Sequence, residues 1–328
     1  MDDLSHRLCV APMMDWTDRH CRYFLRLVSS RARLYTEMVT TGALMFGNVP
    51  RHLDFDPAEH PLALQLGGSD PYALAHCARL GEAWGYDEIN LNVGCPSERV
   101  QTGSFGACLM ADPRLVAECV QAMRDAVALP ITVKHRIGID AIEEYSFVRD
   151  FVGTVAGGGA SVFIVHARNA MLKGLSPKQN REVPPLKYDY VHRLKRDFPD
   201  LTIVINGGFT THQAIAEQLA CVDGVMLGRI AYHHPWLLAE AQAYCFGDES
   251  PTRTRARVIE AMVPYVEAQL AQGVGLRAIA RHMLGLYHGQ PGGRRFRQLL
   301  SDARRLENDG SALLLEALVA VEPAEVTA

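Results

Sequence analysis

The sequence lacks any run of the roughly 20 apolar residues that a membrane span requires. Its first residues, Met1-Asp2-Asp3-Leu4-Ser5, are acidic and carry no apolar signal-peptide core. None of its eight cysteines forms a Cys-x-x-Cys pair, so nothing suggests zinc or an iron–sulfur cluster. Cys9, Cys119 and Cys221 lie in apolar runs and are expected to be buried thiols of a reducing cytoplasm. His233-His234 precede Pro235 without other ligands at metal spacing, and no metal is expected. No G-x-G-x-x-G follows a strand pattern, which excludes a dedicated dinucleotide-binding domain. Hydrophobic residues make up 48%, which excludes general disorder.

What is present is a recurring pattern. Eight short apolar runs end in polar residues or glycine: Leu8–Pro12, Leu34–Glu37, Leu62–Gln65, Ile89–Val93, Ile131–Lys134, Val162–His166, Ile203–Asn206 and Val222–Leu227. Helical patterns stand between them. Leu115, Val116, Cys119, Val120, Met123 and Val127 share one helical face, as do Val191, Leu194 and Phe198. Strands alternating with helices predict βαβ units and a parallel sheet. Eight units predict a (β/α)8 TIM barrel, whose chemistry sits at the C-terminal strand ends. Those ends here carry Glu37, Gln65, Asn92, Cys95, Lys134, His166, Asn206 and Arg229.

The fourth end, Leu91-Asn92-Val93-Gly94-Cys95-Pro96-Ser97, is the most informative. Pro96 stops the strand, and the turn presents a thiol beside the Asn92 amide. Taken alone, such a cysteine would read as a small buried hydrophobe; its company at the other strand ends argues for proton chemistry.

The net charge of −4 hides an asymmetry. Between Pro251 and Gly310 ten arginines face five carboxylates, a local +5, and the remainder of the chain carries −9. All ten cations are Arg, whose planar fork suits phosphate. Three helical stripes run through this tail: Val258-Met262-Val266-Leu270, with Pro264 as a candidate kink, then Ile279-Met283-Leu286, then Leu313-Leu314-Leu318. We expect a small all-helical C-terminal domain over 247–328 after a barrel over 1–246. The boundary is drawn through the polar stretch Phe246-Gly247-Asp248-Glu249-Ser250-Pro251. Phe296 among Arg294, Arg295 and Arg297 points this surface toward nucleic acid.

The last two strand ends are Asn206-Gly207-Gly208 and Gly228-Arg229. Barrels of this kind place phosphate there, with glycines exposing backbone N–H groups and Arg adding a charge-assisted pair. Gln65 and Asn92 can hydrogen-bond a heterocycle, and Lys134 can face an electron-rich ring. Lys in a buried strand demands a partner. Flavin mononucleotide meets each requirement.

The segments Pro12-Met13-Met14-Asp15-Trp16-Thr17-Asp18, Gln65-Leu66-Gly67-Gly68, Asn92-Val93-Gly94-Cys95-Pro96, Val133-Lys134-His135-Arg136, His166-Ala167-Arg168, Asn206-Gly207-Gly208 and Gly228-Arg229 together resemble the tRNA-dihydrouridine synthase family. Met14-Asp15-Trp16-Thr17 and Gly174-Leu175-Ser176-Pro177-Lys178-Gln179-Asn180-Arg181 further resemble its A-type bacterial subfamily. The resemblance implies FMN contacts at Pro12, Met13, Met14, Gln65, Lys134, His166, Asn206, Gly207, Gly208, Gly228 and Arg229. It implies a catalytic acid at Cys95, and tRNA contacts at Asn92, Lys178, Arg181, Arg294 and Arg297. It further implies NADPH as reductant, D-loop uridines 20 and 20a as targets, and a cytoplasmic enzyme, expected to be monomeric. Two rival readings are a flavin oxidoreductase of a free pyrimidine such as dihydroorotate, and a non-catalytic RNA-binding module. The Arg-rich tail disfavours the first, and the set of strand-end residues disfavours the second.

Overall fold

The computed structural model describes residues 6–247 and 254–321. The N-terminal Met1–Ser5 and the segment Asp248–Pro251 of the expected linker lie outside the described residues. Among the described residues, nine parallel strands form one sheet: β1 (Leu8–Val10), β2 (Leu34–Tyr35), β3 (Val39–Thr40), β4 (Leu62–Gly67), β5 (Glu88–Val93), β6 (Ile131–Arg136), β7 (Val162–His166), β8 (Thr202–Asn206) and β9 (Gly224–Leu227). Their order is β1-β9-β8-β7-β6-β5-β4-β2, with β3 also on β4. The Val10 N–H to Arg33 O and Arg33 N–H to Leu8 O bonds, both 2.9 Å, close the ring. This is the eight-fold barrel expected, with β2 and β3 sharing one place. The break between them has a local cause. Thr36 Oγ1 accepts the Gln65 N–H at 3.0 Å and donates to Glu37 O at 2.7 Å, so a side chain occupies a ladder position.

Side chains alternate across each strand. Cys9, Ala11, Tyr35, Ala63, Ile164, Val204 and Met226 make one buried cluster. Against the outer faces pack helices such as Pro71–Trp84, Pro113–Ala126 and Tyr188–Asp197. Val116, Cys119, Val120 and Met123 are the buried stripe of the second, and Val191 and Leu194 that of the third. Asp70 and Asp112 cap the first two, each accepting the third backbone N–H beyond it, and Pro71 and Pro113 open them.

The chain divides into two compact units. The barrel unit comprises the residues to Met14 and Arg33–Gly228; the other comprises Asp15–Ala32 and everything from Arg229 onward. The sequence pattern places the domain boundary at 246/247 instead. The difference arises because Arg19–Val28 packs against the later helices and against Trp236–Phe246. His20 Nδ1 meets Tyr265 Oη at 2.7 Å, Tyr23 stacks on Tyr265 at 3.8 Å, and Ser29 donates to Gln242 at 2.8 Å.

In this helical unit Arg255–Ala271 runs unbroken through Pro264 and buries Val258, Met262 and Val266. Ala312–Val319 buries Leu313 and Leu314. The middle stripe is only partly helical. Leu276–Ala280 is a helix, but Met283 and Leu286 follow in successive tight turns, with Met283 N–H on Ala280 O and Leu286 N–H on Met283 O, both 3.0 Å. Among the described residues no helix is long and apolar enough to cross a membrane. Cys9 and Cys119 are buried, whereas Cys221 is exposed, contrary to the expectation from its apolar run. It sits in the turn that follows helix His212–Leu219, where no neighbouring layer covers it.

Candidate active site

Three adjacent strands turn polar side chains into the barrel. Gln65 on β4 pairs in register with Asn90 on β5, and Asn90 with Thr132 on β6. Asn92 pairs with Lys134 two residues further up. These polar groups, all but Lys134 buried, would be costly if unsatisfied, and they satisfy one another. Asn92 Nδ2 donates to Gln65 Oε1 at 2.9 Å, Gln65 Nε2 to Asn90 Oδ1 at 2.8 Å, and Asn90 Nδ2 to Thr132 Oγ1 at 2.8 Å. Thr132 donates to Glu88 Oε1 at 2.6 Å.

Above this ladder the Asn92 carbonyl oxygen accepts the Gly94 N–H at 3.1 Å and the Cys95 N–H at 2.9 Å. The Asx turn so formed sets the direction of the Cys95 loop. Cys95 itself is half-exposed, with Sγ 3.5 Å from Ser97 Oγ. Its carbonyl accepts the Ala107 N–H at 2.9 Å. Gln101 ties the same loop to a neighbour by donating to Pro96 O at 2.8 Å and Leu172 O at 2.7 Å.

Lys134 Nζ donates to Asn206 Oδ1 at 3.3 Å and meets no carboxylate among the described residues. Burial, with Arg136 nearby, pushes its ammonium down to about 7. A cation held this way favours an anionic guest. Asn206 is oriented by donating to Met226 O at 2.8 Å. His166, in register with it, has its pKa well below the usual value through burial and the neighbouring Arg136 and Lys134, so it stands neutral. Gly207 and Gly208 follow with φ of +129° and +77°, angles that side chains resist. A Cβ on Gly207 would come within 2.9 Å of Leu186 and 3.0 Å of His166. At Gly228, after β9, a Cβ would meet open space.

The other residues singled out from the sequence are also placed. Pro12 and Met13 are half-buried beyond β1, and Met14 is 57% exposed. Arg229 opens the helix Arg229–His233 in the second unit. Lys178 and Arg181 are exposed around a short turn of helix, Gln179–Arg181. Arg294 and Arg297 are exposed on helix Gly293–Leu299, whose other side buries Phe296 and Leu299. His233 and His234 form no metal group, and none of three or more ligating side chains occurs among the described residues.

Several residues give no clear signal in the sequence. Arg136 is buried and donates to Gly94 O at 3.2 Å, Asn169 O at 3.1 Å and Asn180 O at 3.0 Å, so one guanidinium binds three loops. Asn180 in turn holds its own loop, accepting the Met171 N–H at 2.7 Å and donating to Met171 O at 2.9 Å. Glu88, Asn90 and Thr132 carry the ladder. For these a faint signal exists: Glu88, Asn90 and Asn92 alternate with Ile89, Leu91 and Val93, a polar stripe of period two in a strand otherwise buried on both faces.

A closed parallel barrel with amides, a thiol, a half-buried lysine and paired glycines at its C-terminal strand ends defines an enzyme of the (β/α)8 class. Morphinone reductase shares the fold, with a TM-score of 0.50 over 77% of this chain and 88% of that one at 11% identity. Residues 9–322 match the family model for dihydrouridine synthase, and the chain belongs to that family. Proteins named tRNA-dihydrouridine(20/20a) synthase are similar throughout. That of Pseudomonas syringae pv. tomato is 60% identical over 306 residues, 93% of this chain and 91% of that protein. That of Salmonella typhi is 56% identical over 315 residues, 96% and 95% of the two chains. The family is one of flavin-dependent oxidoreductases.

Proposed function

We propose that this enzyme reduces uridines 20 and 20a in the D-loop of cytoplasmic tRNA, with FMN as its flavin and NADPH as reductant, and that it acts as a monomer. The observation that carries the reading is Lys134, a half-buried ammonium with an amide partner and no carboxylate among the described residues, beside the ladder that ends at Cys95. A flavin fits the donor set. Lys134 would face the N1–C2 edge where reduction places negative charge, and Gln65 and Asn206 would bond the ring's polar edge. Pro12, Met13, Met14 and His166 would line the ring, with His166 neutral. Gly207, Gly208, Gly228 and Arg229 would hold the phosphate through backbone N–H groups and a guanidinium. The chemistry such a group supplies when bound is hydride transfer from N5 to C6 of a uracil, the electrons coming from NADPH.

The chain's own residues do the rest. Cys95 gives its thiol proton to uracil C5, from a loop whose direction Asn92 sets. Asn92, Lys178 and Arg181 contact tRNA from the barrel, and Arg294 and Arg297 from the helical unit. The base must leave its stack, at a cost of a few kcal/mol. Contacts between the lysine and arginines of this set and the RNA backbone offset it.

Mapping dihydrouridine in tRNA from a strain lacking the gene tests the target. Loss confined to positions 20 and 20a is expected, and intact dihydrouridine there refutes it. Purified protein should be yellow, with one FMN per chain. Arg229→Ala should weaken FMN retention by roughly 1.5–3 kcal/mol, the size of a charge-assisted bond. Undiminished retention, measured by fluorescence of released flavin, removes Arg229 from the phosphate site.

A further inference from the structure

The ladder inside the barrel has a fixed polarity. Glu88 is buried, and His6 Nε2 at 2.7 Å and Arg33 Nη1 at 3.3 Å flank its Oε2. Burial alone would raise its pKa; His6 and Arg33 outweigh burial and hold it below the usual carboxylate range. An ionised carboxylate can only accept hydrogen bonds. Thr132 must therefore turn its single proton toward Glu88 and offer only lone pairs to Asn90. That forces the Asn90 amide nitrogen toward Thr132 and its oxygen toward Gln65. The same logic turns the Gln65 oxygen toward Asn92, and the Asn92 oxygen toward Gly94 and Cys95. At that end wait two backbone N–H groups, which can only donate. Both ends of the chain of bonds demand the same orientation, so no amide in it can flip alone.

We infer that Glu88, Thr132 and Asn90 are positioning residues, which lock the Asn92 carbonyl oxygen upward through Gln65 and so fix the backbone that carries Cys95. A flipped Asn92 would aim an NH2 group at two N–H donors and release the turn. The cost would be felt at the thiol, four hydrogen bonds from Thr132, because small misplacements of a reacting group lose rate steeply. The kinetic arm of the test rests on the reading of Cys95 as proton donor; the other arms do not.

The experiment compares Thr132→Val, which keeps the shape and removes the hydroxyl, with Thr132→Ser, which keeps the hydroxyl, both as flavin-loaded full chains. Iodoacetamide labelling of Cys95, followed by mass spectrometry, reads the loop without substrate. Thr132→Val should label about tenfold faster, the equivalent of one hydrogen bond removed. Its kcat for dihydrouridine formation should fall about 10- to 100-fold with the KM for tRNA unchanged. Thr132→Ser should restore both. Labelling of Thr132→Val at or below the wild-type rate overturns the inference. So does failure of Thr132→Ser to restore it, since packing alone would then explain the effect. Faster labelling with unchanged kcat sustains the positioning role and refutes Cys95 as the donor. Should Thr132→Val not fold, hydrogen exchange on the wild-type enzyme decides: Gly94 and Cys95 amides protected about 10³-fold or more sustain it, and exchange near unfolded-chain rates overturns it.

Discussion

The two units carry their candidate ligand-binding polar groups in different places. The barrel unit turns them inward. Arg136 is buried and Lys134 half-buried, neither with a carboxylate partner among the described residues, and Gln65, Asn90, Asn92 and Thr132 direct their hydrogen bonds at one another. Helix Gly293–Leu299 of the helical unit turns its cations outward, with Arg294, Arg295 and Arg297 exposed over a buried Phe296 and Leu299. Asp18, half-buried, receives Arg281 at 2.6 Å and His282 at 3.1 Å, which outweigh burial and hold its carboxyl far below the usual range. An inward cation without a counter-charge prepares a place for an anion, whereas an outward Arg face binds phosphate and leaves the fold alone.

The largest expected effect lies at Cys95. Cys95→Ala should cut dihydrouridine formation roughly 10²- to 10⁴-fold, the usual cost of removing a general acid. The variant should stay yellow and be bleached by NADPH without air. Near-normal turnover would show that another group gives the proton. Next in size is the helical face. Arg294→Glu with Arg297→Glu should weaken tRNA retention on filters by at least about tenfold for each charge-assisted bond removed. Flavin bleaching should survive. Wild-type binding should fall with salt, each neutralised phosphate adding about −0.9 or less to the log–log slope. Unchanged binding in the double variant would move the tRNA site elsewhere.

Gly207→Ala tests the barrel's inward packing. Its φ of +129° and the approach to Leu186 and His166 should cost about 1–3 kcal/mol in chemical denaturation, with weaker flavin retention. An unaltered midpoint would show that the loop relaxes. A pH-dependent effect is expected from Lys134→Met in flavin-free protein. The folded pKa of about 7 lies below the ordinary lysine value, so the unfolded chain binds the extra proton between them. The penalty of the buried charge is full below pH 7 and declines as pH rises toward 10. Lys134→Met should therefore raise the Tm at pH 6, by about 2–4 °C per kcal/mol relieved, with the advantage shrinking above pH 7. A constant advantage across that range would mean that Lys134 is not the group titrating.

The sequence by itself determined the barrel. Apolar runs of strand length, each closed by glycine or a polar residue and separated by helical stripes, admit little else. It also marked Cys95, the Gly207-Gly208 turn and the exposed face of Arg294 and Arg297, because these depend on local chemistry. Of the chain's five lysines, only Lys134 falls in a strand among the described residues, which is why it stood out. Tertiary structure alone decided which polar groups meet. The ladder joins residues 65, 88, 90, 92 and 132, and its bonds exist only because strand register sets Gln65 against Asn90 and Asn90 against Thr132. A one-residue slip would send every one of them to the other face. The same holds for Arg136, whose three carbonyl partners lie 33 to 44 residues away, and for Asp15–Ala32, which packs with helices some 200 residues later. Local pattern fixes which face a residue shows; only closure of the barrel fixes what it faces.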